Sequence, residues 1–195
     1  MYASKVSNGA LKNVVFFDSK AEVWEYIQTL PVRSTALTLG SFMQNYVGML
    51  APRPSQSGDG SYEMANVMRG DTELPLIDVE ADTGKWAVAV LMRPEKYEKK
   101  AICCAAELVT MDHICERIQE KTGKAIKYKQ LPEDVFKKFI PGNMGEVITE
   151  MSVLFRDYGY FGRDQKRLVE EGIQQAQGKL TTFEEFLEKV DYKLP

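Results

Sequence analysis

The chain has 195 residues, 44% of them hydrophobic and 27% charged, with a net charge of −3 and a pI near 5.4. That is the size and balance of one globular domain with a sizeable core, and the acidic excess argues against a general nucleic-acid binder, which carries a basic face. No apolar run approaches the ~20 residues of a membrane helix, and the first residues lack the apolar core of a secretory signal. Three cysteines, Cys103, Cys104 and Cys115, fit no common zinc spacing, and two are adjacent, so they read as free thiols of a reducing compartment, cytoplasmic or nuclear.

Residues 1–13 read as polar and loosely ordered. Val14–Phe17 reads as a short buried strand ending at Asp18. Ser19 followed by Glu22 spells a capping box, and Val23, Ile27 and Leu30 fall on one helical face until Pro31 stops the helix. Lys20 would then occupy the first helical position, where the helix dipole disfavours a cation; it is either solvated or held by something it touches.

Residues 34–39 read as a second buried strand, running through Gly40 into a short helix built on Phe42, Met43, Tyr46 and Leu50. In open α/β sheets ligands sit at such carboxyl ends of strands. Two prolines and two glycines make residues 51–60 a loop. Residues 74–79 read as a strand at an edge, because Pro75 cannot donate to a ladder. Asp82 is a candidate cap for the next helix, and Gly84 in its first turn suggests close backbone packing. Asp78, Glu80 and Asp82 are too few oxygen ligands for calcium, and capping explains them; no metal site is expected.

Residues 101–106 read as a strand of small residues, and Thr110 or Asp112 opens a helix closed by Gly123. His113 has no serine or cysteine nucleophile nearby and reads as a surface residue. Lysines alternate through residues 124–130 as on a charge-protected edge strand. Pro132 suits the first position of another helix. From Met144 to Tyr158 an apolar and aromatic stripe reads as core, while residues 158–162, Tyr-Gly-Tyr-Phe-Gly, line a pocket or cover that core. Thr181, Thr182, Glu184 and Glu185 supply a second capping box. Strands and helices alternate through the first two-thirds, so the class is α/β with a helical C-terminal part.

The order of motifs carries a resemblance. Residues 17–23 (Phe-Asp-Ser-Lys-Ala-Glu-Val), residues 39–45 (Leu-Gly-Ser-Phe-Met-Gln-Asn) and residues 75–85 (Pro-Leu-Ile-Asp-Val-Glu-Ala-Asp-Thr-Gly-Lys) resemble the NmrA-like family. So do residues 94–97, Thr122-Gly123-Lys124 with Tyr128, and residues 180–187. These are atypical short-chain dehydrogenases, and the resemblance runs from about Val14 to Leu194. It implies one domain over residues 1–195: the C-terminal part of a Rossmann-like NAD(P)-binding fold plus a smaller α/β substrate-side subdomain, without the N-terminal glycine-rich βα units that cradle the pyrophosphate.

The resemblance further implies an NADP(H)-related oxidoreductase-type protein with Lys20 beside the nicotinamide ribose and as the tentative catalytic residue. Phe42, Met43, Gln44 and Asn45 would line the nicotinamide end, and Phe16, Gly40 and Tyr46 the substrate pocket. The chain departs from the family pattern at Val15-Phe16 (often Pro-His), Thr38-Leu39 (often Arg-Pro) and Gln44 (Glu). Phe16 lies four residues before Lys20, where a tyrosine would serve as general acid; a phenylalanine cannot. Cofactor binding by this chain alone is expected to be weak or absent, because the phosphate cradle supplies most of the fixed amide donors.

A second reading is a non-catalytic redox-sensing or transcription-regulating module acting through a protein partner, with residues 110–194 as its surface. A third is a truncated product or split half, whose bare sheet edge and apolar face favour a homodimer. A small-molecule substrate is expected only if the protein is enzymatic; no direct nucleic-acid or membrane contact is expected.

Overall fold

The computed structural model describes residues 2–195; Met1 lies outside the described residues. In chain order the elements are α1 (Ala3–Val6), α2 (Val15–Thr29), β1 (Thr35–Leu39), β2 (Ser41–Phe42), a 3-10 turn (Met43–Val47), β3 (Arg53–Pro54), β4 (Tyr62–Asn66) and β5 (Glu73–Ile77). Then come α3 (Val79–Met92), α4 (Pro94–Tyr97), β6 (Lys100–Cys104), β7 (Glu107–Thr110), α5 (Met111–Thr122) and β8 (Ile126–Gln130). Four helices close the chain: α6 (Glu133–Phe139), α7 (Met144–Tyr158), α8 (Gln165–Gln175) and α9 (Phe183–Lys189). The fold is mixed α/β, as the alternation of patterns implies.

β1 pairs in parallel with β6, Thr35 opposite Lys100 through Leu39 opposite Cys104. Past Gly40 the chain enters β2, which pairs in parallel with β5; β5 in turn pairs antiparallel with β7. A third sheet has the order β3-β4-β8. β8 is an edge strand carrying Lys127 and Lys129. Leu37, Leu39, Ile102 and Cys104 share one face of the β1–β6 pair and pack on Trp86 of α3. Cys103 points the other way, towards Tyr160, Phe161 and Val169. The largest cluster joins Met43, Tyr46, Leu74, Leu76, Ile114, Ile118 and Phe183.

Several expectations are corrected. Val14–Phe17 is not a strand: α2 starts at Val15, because Val14 and Phe17 turn inward at a helical spacing while Val15 and Phe16 face out. Ser19 and Glu22 form no capping box, since the N-cap position is Val14 and carries no side-chain bond. Asp18 falls in the first turn, where a carboxylate complements the dipole, and Lys20 in the second. Nor are the first residues loose. Asp18 accepts from the amides of Ala3 (2.6 Å) and Ser4 (3.3 Å), Glu150 holds Asn13, and Ala3, Leu11 and Val14 are buried against α7.

Pro75 sits in the middle strand of its sheet, not at an edge; the missing N–H is tolerated because β2 pairs only at Leu76 and Ile77. α3 follows β5 with no intervening loop, so its cap is Asp78, which accepts from Ala81 (3.2 Å), rather than Asp82. A Cβ at Gly84 would meet open space, so the expected close packing is absent there. Residues 41–47 form a two-residue strand and a 3-10 turn instead of a helix, and Pro132 precedes the first residue of α6. α8 was not anticipated.

Other local readings hold. Thr110 caps α5, with its hydroxyl accepting from His113 (3.2 Å), and Gly123 ends the helix in the left-handed conformation at φ 66°. Thr182 and Glu185 form the reciprocal capping box of α9.

Candidate functional site

The carboxyl end of β1 is organised by Gly40. Its backbone crosses so near β5 that a Cβ would collide with the Pro75 carbonyl and crowd the Ala105 side chain. Here glycine is needed for close approach of two main chains. Gly40→Ala is expected to cost about 1–3 kcal/mol, the range of overpacking, read as a lowered midpoint in urea unfolding with an unchanged slope.

Beyond Gly40 the residues of the 39–45 motif divide. Phe42 is exposed and Asn45 half-buried, whereas Met43 and Tyr46 lie fully inside the main core. The Tyr46 ring meets Phe183 edge-on with centroids 5.5 Å apart. Among the described residues its hydroxyl has no hydrogen-bond partner, and burial pushes its pKa up. Gln44 is committed locally: its amide nitrogen donates to Asp78 (2.8 Å) while its oxygen accepts from the Val79 amide (3.4 Å). It thereby fixes the 3-10 turn to the start of α3.

Lys20 comes to the same end of the sheet through aromatic packing. Phe17, one turn before it, meets Phe155 and Tyr160 edge-on at 5.6 and 5.5 Å, and the Tyr160 hydroxyl donates to the Leu39 carbonyl (3.2 Å). The other end of α2 is held by Lys99, whose ammonium donates to the carbonyls of Leu30 (2.7 Å), Ile27 (3.2 Å) and Gln28 (3.3 Å). A cation on these free carbonyls complements the helix dipole. Lys20 itself is exposed, and among the described residues no hydrogen bond or ion pair engages its ammonium. Phe16 faces solvent on the same helix.

Acid–base equipment near this end is sparse. Burial pushes the Tyr160 phenol up to about 12, and its proton is already given to Leu39. Burial likewise raises the thiols, Cys103 to about 11 and Cys104 and Cys115 to about 12, which keeps them protonated and unreactive at neutral pH. His113 lies on α5, accepting from Arg117 (3.1 Å).

The 158–162 cluster serves both purposes the sequence allowed. Tyr160 and Phe161 pack inward, ring centroids 5.1 Å apart. Tyr158, Gly159 and Gly162 line a cleft of about 450 Å³ together with Arg69, Arg156 and Arg163. Arg156 is tied to Asp157 (2.8 Å) and Glu133 (3.0 Å), which hold its guanidinium protonated, and the Arg163 guanidinium lies 5.7 Å over the Tyr158 ring. Sequence reading missed this arginine grouping because its members are 87 and 94 residues from Arg69 in the chain, and only the fold joins them.

Of the residues expected to meet an NADP(H) molecule, Met43 and Tyr46 are buried in the core and Gln44 is engaged by Asp78 and Val79. Lys20 and Phe42 are exposed and Asn45 is half-buried. Two helices start directly at strand ends: α3, capped by the Asp78 carboxylate, and α5, capped by Thr110 with Asp112 in its first turn, so both bring a carboxylate where a pyrophosphate would lie. Neither helix start offers the fixed amide donors of a phosphate cradle.

The model of the NmrA-like family matches residues 1–187. An NmrA-like family domain-containing protein of Dictyostelium discoideum is 26% identical over 200 residues, covering 98% of this chain and 62% of its own length. Among solved structures, NmrA, a negative transcriptional regulator, superposes with a TM-score of 0.72 at 21% identity, over 89% of this chain and 57% of that one. An NADPH-dependent quinone oxidoreductase of Escherichia coli gives 0.65 at 19%, over 88% and 60%. The chain thus spans about three-fifths of the length of the relatives it matches, and with a family model matched over nearly all its residues it belongs to the NmrA-like family.

Proposed function

We propose that this chain carries the nicotinamide and substrate side of an NADP(H)-related, oxidoreductase-type protein of the NmrA-like family. The observation that supports the reading is the exposed Lys20 on α2, whose Phe17 one turn earlier packs on Tyr160 at the Leu39 end of β1, the strand that leads into Phe42 and Asn45. Structural relatives described in complex with NADP and with NADPH support the choice of dinucleotide. A bound nicotinamide would supply hydride chemistry. Lys20 would hold the ribose hydroxyls, Phe42 and Asn45 would border the ring, and Gly40 would keep the strand end narrow enough for them to converge. Phe16 and the outer face of the aromatic cluster would border a small-molecule substrate.

A second reading, a binding or redox-sensing module without turnover, is favoured by one observation: Phe16 cannot donate a proton and the Tyr160 hydroxyl is committed to Leu39. It would act through a protein partner or a second copy of the chain, without direct contact to nucleic acid or membrane. No helix among the described residues is long and apolar enough to cross a membrane.

Both readings place the affinity-bearing phosphate contacts outside this chain. Calorimetric titration of the 195-residue protein with NADP and NADPH is expected to show no saturable heat in the micromolar range. A micromolar dissociation constant would show that the pyrophosphate is held here and overturn that division.

A further inference from the structure

The arginine cleft is walled by the start of β5, the end of β7, the end of α7 and the turn into α8; none of its lining lies on β1, α2 or α3. Most of its polar side chains are already engaged. Arg69 pairs with Asp71 (3.1 Å) and Asp157 (3.7 Å), and Arg156 with Asp157 (2.8 Å) and Glu133 (3.0 Å). The Thr72 hydroxyl accepts from the Arg69 amide (3.0 Å), and the Thr110 hydroxyl caps α5. The Gln165 side-chain oxygen accepts from the Tyr160 N–H (3.0 Å), while its nitrogen donates to the Glu73 carbonyl (3.3 Å). One side chain thus ties the α7–α8 turn to the first residue of β5.

Two charged groups of the lining remain, and they are of opposite sign. Among the described residues, neither the Arg163 guanidinium nor the Glu73 carboxylate has a hydrogen-bond or ion-pair partner. Arg163 is held by other means. Its guanidinium lies 5.7 Å from the Tyr158 ring centroid, within cation–π range. The turn that carries it is closed by the Gly162 N–H donating to the Gly159 carbonyl (3.2 Å), with both glycines in the left-handed region at φ 96° and 80°. A phosphate dianion would call for a second free cation, and the lining offers a carboxylate instead. The match is to a ligand that carries one charge of each sign.

We propose that this cleft binds a small zwitterion, a free amino acid or a short peptide, with its carboxylate on Arg163, its ammonium on Glu73 and an apolar side chain against Phe155 and Tyr158. The planar guanidinium fork suits a carboxylate. The site shares no lining residue with Lys20, Phe42 or Asn45, so it stands whether or not a dinucleotide is held there.

Amide-resolved titration of the full chain at neutral pH with L-leucine, and separately with leucylleucine, tests this. At least one of them is expected to give saturable shifts at Glu73 and residues 158–163 with a dissociation constant below about 5 mM; the tighter of the two tells whether the cleft spans one residue or two. Removing one charge at a time separates charge recognition from apolar partition. 4-Methylpentanoate and 3-methylbutylamine, which are leucine without its ammonium or its carboxylate, are expected to bind at least about fivefold more weakly than the zwitterion. Arg163→Gln is expected to abolish the preference over the amine, and Glu73→Gln the preference over the carboxylate, each with an unaltered far-ultraviolet spectrum. No saturation by either zwitterion up to about 20 mM overturns the proposal. So do single-charge analogues that bind as tightly, shifts that lie elsewhere, or preferences that survive both substitutions.

Discussion

Trp86→Ala is expected to lower the unfolding free energy by about 3–5 kcal/mol, the range for emptying a large buried aromatic site. Trp86 is the largest fully buried side chain and sits between Ile77, Leu37, Leu39, Ile102 and Cys104. Its indole nitrogen also donates to the Gly172 carbonyl at 2.8 Å, so α3 and α8 are joined by both packing and a directed bond. Truncation leaves a cavity and a buried carbonyl without a donor. Trp86→Phe separates the two: it fills most of the volume but lacks the N–H, and a cost of about 1–2 kcal/mol is expected. Urea unfolding followed by far-ultraviolet circular dichroism reads both; equal costs for the two variants would show that the hydrogen bond, not the volume, dominates.

The second large effect is expected at Asp82. The carboxylate is fully buried, accepting from the Thr181 amide (2.8 Å), the Thr181 hydroxyl (3.2 Å) and the Lys85 ammonium (2.6 Å). Lys85 in turn donates to the Lys179 carbonyl (2.5 Å). One side chain thus anchors the segment leading into α9 to the first turn of α3, across 99 residues of sequence. Removing one member of a buried pair costs about 3–5 kcal/mol because the partners are left desolvated, and Asp82→Ala is expected to fall in that range. Lys85, being partly exposed, can recover water, so Lys85→Met is expected to cost under about 2 kcal/mol. Proteolysis of the native variants would also separate the roles, with cleavage near residues 178–182 rising sharply for Asp82→Ala alone.

Asp82 shows where sequence reading stops. Its place early in a helix suggested a cap, and the pattern of residues 78–82 gave two carboxylates to choose between. Only the direct join of β5 to α3 decides for Asp78, and the true partner of Asp82 lies at Thr181, beyond any local window. The Val14–Phe17 run failed for a related reason. Four apolar residues fit a buried strand or a half-buried helix, and the arbiter is α7, which receives Val14 and Phe17 but not Val15 and Phe16. α8 was hidden by Gly172, a poor helix residue whose value is that it lets the helix touch the Cys103 carbonyl. By contrast Thr110, Gly123, Thr182 and Glu185 were legible, since caps are written within four residues.

The candidate site was legible as a set of motifs and not as a geometry. Gly40 was placed correctly at a strand end, but the reason for it, the Pro75 carbonyl, belongs to a strand 35 residues away. Met43 and Gln44 share a motif with Phe42 and Asn45 yet serve the core and the start of α3, as Tyr46 just after the motif serves the core, because a 3-10 turn sends successive side chains to different sides. Lys20 lies in the second turn of α2 and not at the helix start expected of it. What fixes that turn is the packing of Phe17 on Tyr160.

The most direct test is a two-dimensional amide-resolved titration of the chain with NADPH up to several millimolar. The account predicts progressive, unsaturated shifts concentrated at Lys20, Phe42 and Asn45 and their neighbours, abolished by Lys20→Ala while the remaining spectrum is unchanged. Shifts that avoid these residues, or that saturate in the micromolar range, would contradict it.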